Sequence, residues 1–235
     1  MPGSQADDVA VVIPARNEAD RIAATVTAAA GLTGVGLVVV VDDGSRDGTG
    51  TLARRAGAVV MRHARNRGKA AAMATGADAV SLVDQRERRE HPRHLLFLDA
   101  DLAESAAQAG PLADPVIAGT ADMTIAVFAT TVKLGGHGLV VGLSGAGIRR
   151  ATGWQPAQPL NGQRCLTRAA FEAARPLARG WGVETALTID LLRKGLRVTE
   201  VEVELAHRAT GTGLRAQLHR ARQLTDVARA LAARP

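Results

Sequence analysis

Leu95-Leu96-Phe97-Leu98-Asp99-Ala100-Asp101-Leu102 is the stretch that decides how this chain reads. Four apolar residues make a buried strand, and two carboxylates follow, two residues apart, where that strand ends. Residues i and i+2 of a strand point to one side, so a strand ending near Asp99 aims both carboxylates at one place. In an open α/β sheet that place is the crevice beyond the carboxyl ends of the strands, where ligands bind. Hard carboxylate oxygens suit Mg2+ or Mn2+, and Mg2+ is held by one or two carboxylates together with substrate phosphates. Asp-x-Asp alone is more often a solvated acidic turn, so the surrounding chain has to decide.

Toward the N-terminus the pattern alternates regularly. Asp8 to Pro14 reads as a fully buried strand, and Glu18 to Ala30 has helical spacing through Ile22, Val26 and Ala29. Leu37 to Val41 is a second strand, ending in the polar turn Asp42-Asp43-Gly44-Ser45-Arg46-Asp47-Gly48-Thr49, and Gly50 to Ala56 a short helix. Ala58 to Met61 is a third strand, and Gly68 to Val83 an Ala-rich helix with Arg67-Gly68-Lys69 at its start. Strand and helix in strict alternation predict an α/β fold with a mostly parallel, doubly wound sheet. The mixed-charge run Asp84 to His94 reads as a solvated loop or frayed helix end.

Past Asp101 the pattern loosens. Met123 to Phe128 reads as a strand, Gly135 to Thr152 as a Gly-rich segment entering a helix, and Gln163 to Thr167 as a short strand. Val183 to Lys194 is a helix ended by Gly195, and Leu196 to Leu205 alternates as a last strand. From Leu214 to Leu231 one apolar stripe runs along a basic helix, a pattern that serves packing on the domain or a second subunit, or contact with a membrane surface.

Composition narrows the classes. The 235 residues suffice for a real core. The longest apolar runs are too short for a transmembrane helix, and Met1-Pro2-Gly3-Ser4-Gln5 does not start a secretory signal, which makes cytoplasm the default. Cys165 is the only cysteine, which rules out an internal disulfide and a cysteine zinc cluster. Net charge is +6, but there is no Tyr, and only three Phe and two Trp. Without aromatic platforms the basic charge does not point to nucleic acid; it suits a phosphate-bearing ligand or an anionic membrane surface.

Four polar stations follow four strand ends: Pro14-Ala15-Arg16-Asn17-Glu18, Asp42-Asp43-Gly44-Ser45, Arg67-Gly68-Lys69 and Asp99-Ala100-Asp101. A parallel sheet brings such loops to one edge. Carboxylates for base, ribose and metal, with a cation at a helix start for a diphosphate, describe a nucleotide-diphosphate site. Neither a Walker loop around Gly68-Lys69-Ala70 nor a dinucleotide fingerprint after the first strand is met.

In this order, Ile13-Pro14-Ala15-Arg16-Asn17-Glu18, Val41 to Thr49, Arg65-Asn66-Arg67-Gly68-Lys69 and Asp99-Ala100-Asp101 resemble the family-2-type GT-A glycosyltransferases over roughly residues 8 to 210. The second half is similar to the glucosyl-3-phosphoglycerate synthases through Gln158-Pro159-Leu160-Asn161-Gly162, Gly180-Trp181-Gly182-Val183-Glu184-Thr185 and Ala206-His207-Arg208. Polyprenyl-phosphate sugar transferases share the motif order.

The resemblance implies a GT-A fold and roles for named residues. Pro14, Ala15 and Glu18 would hold base and ribose, Asp43 the uracil edge, Lys69 the phosphates or uracil side, and Asp99 the ribose, with Ala100 beside it. Asp101 and His207 would bind Mg2+ or Mn2+. Glu184 would face the sugar or acceptor, as an orienting group or a general base, with the Leu160–Asn161 carbonyl region assisting a retaining transfer. If transfer inverts, Glu184 rather than Asp190 takes the acceptor proton. Gly147, Arg149, Thr152 and Gly162 would meet the acceptor, the first three in a glycine-rich turn whose arginines suit an anion.

The expectation is therefore a metal-dependent hexosyltransferase using a UDP-linked sugar and a small, phosphorylated or hydroxylated acceptor. Its catalytic domain would span residues 1–210, with a nucleotide-sugar half at 8–102 and an acceptor half at 103–210, followed by a basic amphipathic helix at 211–235. Polyprenyl phosphate at a membrane surface is the alternative acceptor, and a homodimer the alternative use of the helix. A non-catalytic nucleotide-sugar binding module is the rival outside this class; a nucleotidyltransferase would carry a Gly-rich, basic loop after the first strand, which Pro14 to Glu18 is not.

Overall fold

The computed structural model describes residues 7–128, 138–205 and 214–234, with backbone alone over 214–221. Seven strands form one sheet: β1 (Val9–Ala15), β2 (Val35–Asp42), β3 (Val59–Arg62), β4 (His94–Phe97), β5 (Met123–Phe128), β6 (Arg164–Leu166) and β7 (Val198–Val203). Their spatial order is β3-β2-β1-β4-β6-β5-β7. The pairs β1–β2, β1–β4, β2–β3 and β5–β7 are parallel, and only the three-residue β6 runs against its neighbours, β4 and β5.

Eight helices accompany the strands among the described residues: α1 (Ile22–Ala30), α2 (Thr49–Arg55), α3 (Lys69–Arg86), α4 (Asp114–Ile117), α5 (Gly138–Thr152), α6 (Arg168–Ala173), α7 (Val183–Arg193) and α8 (Leu214–Ala232). β1 shows why the sheet is covered on both faces. Val9, Val11 and Ile13 enter one core with α1 and the 3₁₀ stretch Ala103–Leu112, while Ala10 and Val12 enter a second core with α3 and α7. A strand buried on both faces reads as a continuous apolar run, because neither alternate set of side chains meets water.

Several boundaries differ from the expectation for local reasons. α1 begins at Ile22, since the Glu18 carbonyl accepts from the Arg21 and Ile22 amides in a turn. α3 continues through the charged residues to Arg86, and β7 is shorter than Leu196–Leu205 and does not alternate cleanly in burial. α6 was not expected; Thr167 caps it by accepting from the Ala170 amide. β4 ends at Phe97, so Asp99 and Asp101 lie in the following turn and strand alternation does not orient them.

Among the described residues no helix is long and apolar enough to cross a membrane. One face of α8 packs on the domain: Val227 and Ala230 are buried and Asp226 accepts from the Trp181 amide, while just past the helix Arg234 pairs with Asp190 at 2.6 Å. Gly182 makes the approach possible, because a Cβ there would lie 2.6 Å from both Ala230 Cβ and the Asp226 carbonyl oxygen. Gly182→Ala is therefore expected to cost about 1–3 kcal/mol by forcing α8 outward. Chemical denaturation checks the cost, and limited proteolysis within α8 should quicken; unchanged stability would contradict this docking.

Candidate active site

The parallel strands deliver their following loops to one sheet edge, and side chains stitch these loops together. The Asn17 amide donates to Ser45 Oγ at 3.0 Å, Asn17 Oδ1 accepts from the Arg46 amide, and the Glu18 amide donates to Thr49 Oγ1. The Ala15 carbonyl accepts from the Asp43 amide. Pro14, Ala15, Glu18 and Asp43 thus lie in two directly joined loops, with Ala15 and Asp43 buried and Pro14 and Glu18 partly exposed.

Asp43 reaches on to the third loop. Its Oδ1 accepts from the Arg67 amide and its Oδ2 from the Gly68 amide, each at 2.8 Å. His63 Nδ1 lies 2.7 Å from Asp43 Oδ1, and His63 Nε2 lies 3.0 Å from Thr75 Oγ1. This buried carboxylate is a clamp on the backbone just before Lys69. The sequence reading placed Asp43 at the site but missed His63, which no local pattern marks.

Lys69, the first residue of α3, is the hub. Its Nζ donates to Asp99 Oδ1 at 2.9 Å and lies 3.0 Å from Glu184 Oε1. One ammonium thus joins a carboxylate after β4 to another at the start of α7. Burial disfavours the ammonium, but the charges and hydrogen bonds of Asp99 and Glu184 outweigh it and hold the Lys69 pKa above its ordinary value. Gln163 Nε2 donates to the other Asp99 oxygen at 2.8 Å. Gly162 stands directly against the cluster, where a Cβ would come within 2.3 Å of Lys69 Nζ. Any side chain at 162 would compete for the place of the ammonium.

The turn before β6 adds a backbone group. The Leu160 carbonyl accepts no hydrogen bond from the described residues, whereas its neighbours' carbonyls at Pro159 and Asn161 both accept from Arg164. The Asn161 side chain is used within the turn, donating to Gln158 Oε1 and accepting from the Gln163 amide. Arg164 and Gln163 were read only as part of a short strand. A guanidinium beside Cys165 and Leu166 in a buried strand was the signal that could have singled out Arg164.

Other expected residues lie apart. Gly147 packs beneath the Leu231 side chain of α8, Arg149 Nη1 reaches Gln155 Oε1, and Thr152 Oγ1 donates to the Ile148 carbonyl. Among the described residues no hydrogen bond or ion pair joins these three to the Lys69 cluster; α5 carries them toward α8 and its own C-terminal end. Ala100 is buried, with its carbonyl accepting from Thr25 Oγ1, and the Asp101 carbonyl accepts from Arg21 Nη1. His207 lies outside the described residues. Among the described residues no three His, Cys, Asp or Glu side chains converge as a metal cage.

Known proteins place this arrangement. Glycosyltransferase AglJ of Haloferax volcanii is 28% identical over 211 residues, covering 88% of this chain and 65% of that protein. The uncharacterized protein MJ1222 of Methanocaldococcus jannaschii is 34% identical over 119 residues, 51% of this chain and 46% of that protein. The chain thus spans less than two thirds of either relative.

Among solved structures, glucosyl-3-phosphoglycerate synthase from Mycobacterium tuberculosis in complex with phosphoglyceric acid superposes with a TM-score of 0.77 at 24% identity, over 97% of this chain and 80% of that one. The same enzyme with Mn2+, uridine diphosphate and phosphoglyceric acid gives 0.77 at 23% identity, over 97% and 78%. The likeness establishes a shared GT-A fold. The family model for glycosyl transferase family 2 matches residues 10–137, more than half of the sequence and all four strand-end stations, so the chain belongs to glycosyl transferase family 2.

Proposed function

We propose that this chain transfers a hexose from a UDP-linked sugar to a small phosphorylated acceptor, with Mg2+ or Mn2+ as the resident metal. The observation that carries this reading is the Lys69 ammonium held between Asp99 and Glu184, because it joins the nucleotide loops to the second half at one point. In this reading Pro14, Ala15 and Glu18 line the base and ribose side, and Asp43 supports it by fixing the Arg67–Gly68 backbone. Asp99 meets the ribose, and Lys69 exchanges its carboxylate partners for donor phosphates as they arrive. The complexes of the mycobacterial synthase with UDP, Mn2+ and phosphoglyceric acid support the donor, metal and acceptor class.

Asp101 fits a hard divalent cation, since its carboxylate follows Asp99 in the turn where the diphosphate would lie, and His207 would be the second protein ligand. When bound, the metal offsets the charge that builds on the departing diphosphate. Glu184, ion-paired and buried, is suited to accept hydrogen bonds from sugar or acceptor hydroxyls rather than to remove a proton. The Leu160 carbonyl, unengaged by the described residues and two residues before Gly162, offers a fixed partial negative charge to the reacting sugar, which fits retention of configuration.

The test is thermal stabilisation by UDP-, GDP- and ADP-sugars with and without Mn2+, in wild type and Asp101→Ala. Ligand at a hundredfold excess over Kd stabilises by about 2.7 kcal/mol. A uridine diphosphate sugar is expected to act most strongly, with a Mn2+ increment that disappears in Asp101→Ala. No stabilisation of folded wild type by any nucleotide sugar would overturn the proposal.

A further inference from the structure

Arg164 is the most completely enclosed charged side chain near the site, 1% exposed, and its guanidinium fork spans two separate backbone segments. Nε donates to the Asn161 carbonyl at 2.8 Å and Nη2 to the Pro159 carbonyl at 3.0 Å. Nη1 donates to the Glu184 carbonyl at 3.0 Å and to Thr188 Oγ1 at 2.8 Å. Burial pushes the guanidinium pKa down to about 10 against the raising effects of Glu184 and Glu200, so the group is charged at neutral pH. A buried cation without a carboxylate in direct contact is costly unless its donors are engaged, and here three carbonyls and one hydroxyl engage four of its five N–H groups.

The geometry has a consequence for the site. Arg164 ties the carbonyls on both sides of Leu160, which leaves the Leu160 carbonyl unengaged by the described residues and unable to swing. The same fork holds the backbone of Glu184, whose carboxylate meets Lys69. From the other side, Glu200 Oε1 accepts from the Ala157 and Gln158 amides and steadies the start of the turn. We propose that Arg164 is a positioning residue that sets the Leu160 carbonyl and the Glu184 carboxylate at a fixed separation across the sugar site. Among the described residues its side chain contacts neither nucleotide loop, so its direct influence falls on the sugar side of the site. This rests on the transferase reading above.

The test uses the full chain with UDP and UDP-glucose as probes in the presence of Mn2+. Arg164→Lys keeps the charge but loses the fork, so it cannot serve all four acceptors. Expected are an unchanged Kd for UDP, a Kd for UDP-glucose raised about fivefold or more, and kcat for hydrolysis of UDP-glucose lowered about 30-fold. A role in packing alone would lower the melting temperature while leaving the ratio of the two Kd values and kcat as in wild type, and that result overturns the inference. If Arg164→Lys does not fold, Thr188→Val removes one acceptor and keeps the others. It should raise the same ratio about twofold, and an unmoved ratio again overturns the inference. Wild type that binds neither probe defeats the transferase reading itself; wild type that binds both, with variants that do not change the ratio, defeats only the role of Arg164.

Discussion

Lys69→Met is expected to lower sugar transfer about 100-fold or more and to lower folding stability by about 2–3 kcal/mol. The first effect follows from removing the one cation that the cluster offers to a diphosphate. The second follows from leaving Asp99 and Glu184 without their shared ammonium; the Lys69 side chain is 22% exposed, so the full cost of breaking a buried pair is reduced by solvent. The alkaline pH dependence separates the pair from simple packing. Because the folded-state pKa of Lys69 lies above its ordinary value of 10.5, its contribution is fully present below that value and is lost as pH rises through the folded pKa. The stability gap between wild type and Lys69→Met should stay constant from about pH 7 to pH 10 and close only beyond it. Urea unfolding across that range checks the pattern, and a gap that narrows by pH 8 would sink the assignment.

Asp43→Asn is expected to be as damaging as Asp43→Ala, at about 2–4 kcal/mol of stability and about tenfold or more in UDP affinity. The carboxylate accepts from two backbone amides and faces His63. An asparagine presents an NH2 group to at least one of these donors, so it cannot replace the clamp. If Asp43 acted by reading the base alone, Asn would fold like wild type. Thermal melts with a UDP titration distinguish the cases, and an Asn variant of wild-type stability would show that the clamp is dispensable.

What the sequence made legible was local. The apolar runs of β1, β2 and β4 are long enough and pure enough to announce buried parallel strands, and each ends in a polar loop with its own signature. The 3₁₀ stretch Ala103–Leu112 and the short α4 escaped because Ala, Gly and Pro there carry no usable period. At the site, Lys69 and Asp99 stood out as strand-end polar stations and Glu184 through the family resemblance alone, although not their meeting on one ammonium. His63, Gln163 and Arg164 each have a partner 20 or more residues away, and neither periodicity nor turn chemistry encodes such pairings. Gly147, Arg149 and Thr152 show another side of this: the glycine- and arginine-bearing stretch is legible as a helix, but the packing of Leu231 against Gly147 is not.

The three-residue β6 also governs how the chain can be divided. It arrives from far along the sequence and fills the space between β4 and β5. A fragment ending near Leu102 would contain all four polar loops yet leave the outer side of β4 as a bare edge, with Leu95, Leu96 and Phe97 beside unpaired amides and carbonyls. Such an edge recruits strands from other molecules and promotes aggregation. The nucleotide half expressed alone is therefore expected to aggregate, because the strand that covers its edge comes from the second half of the chain.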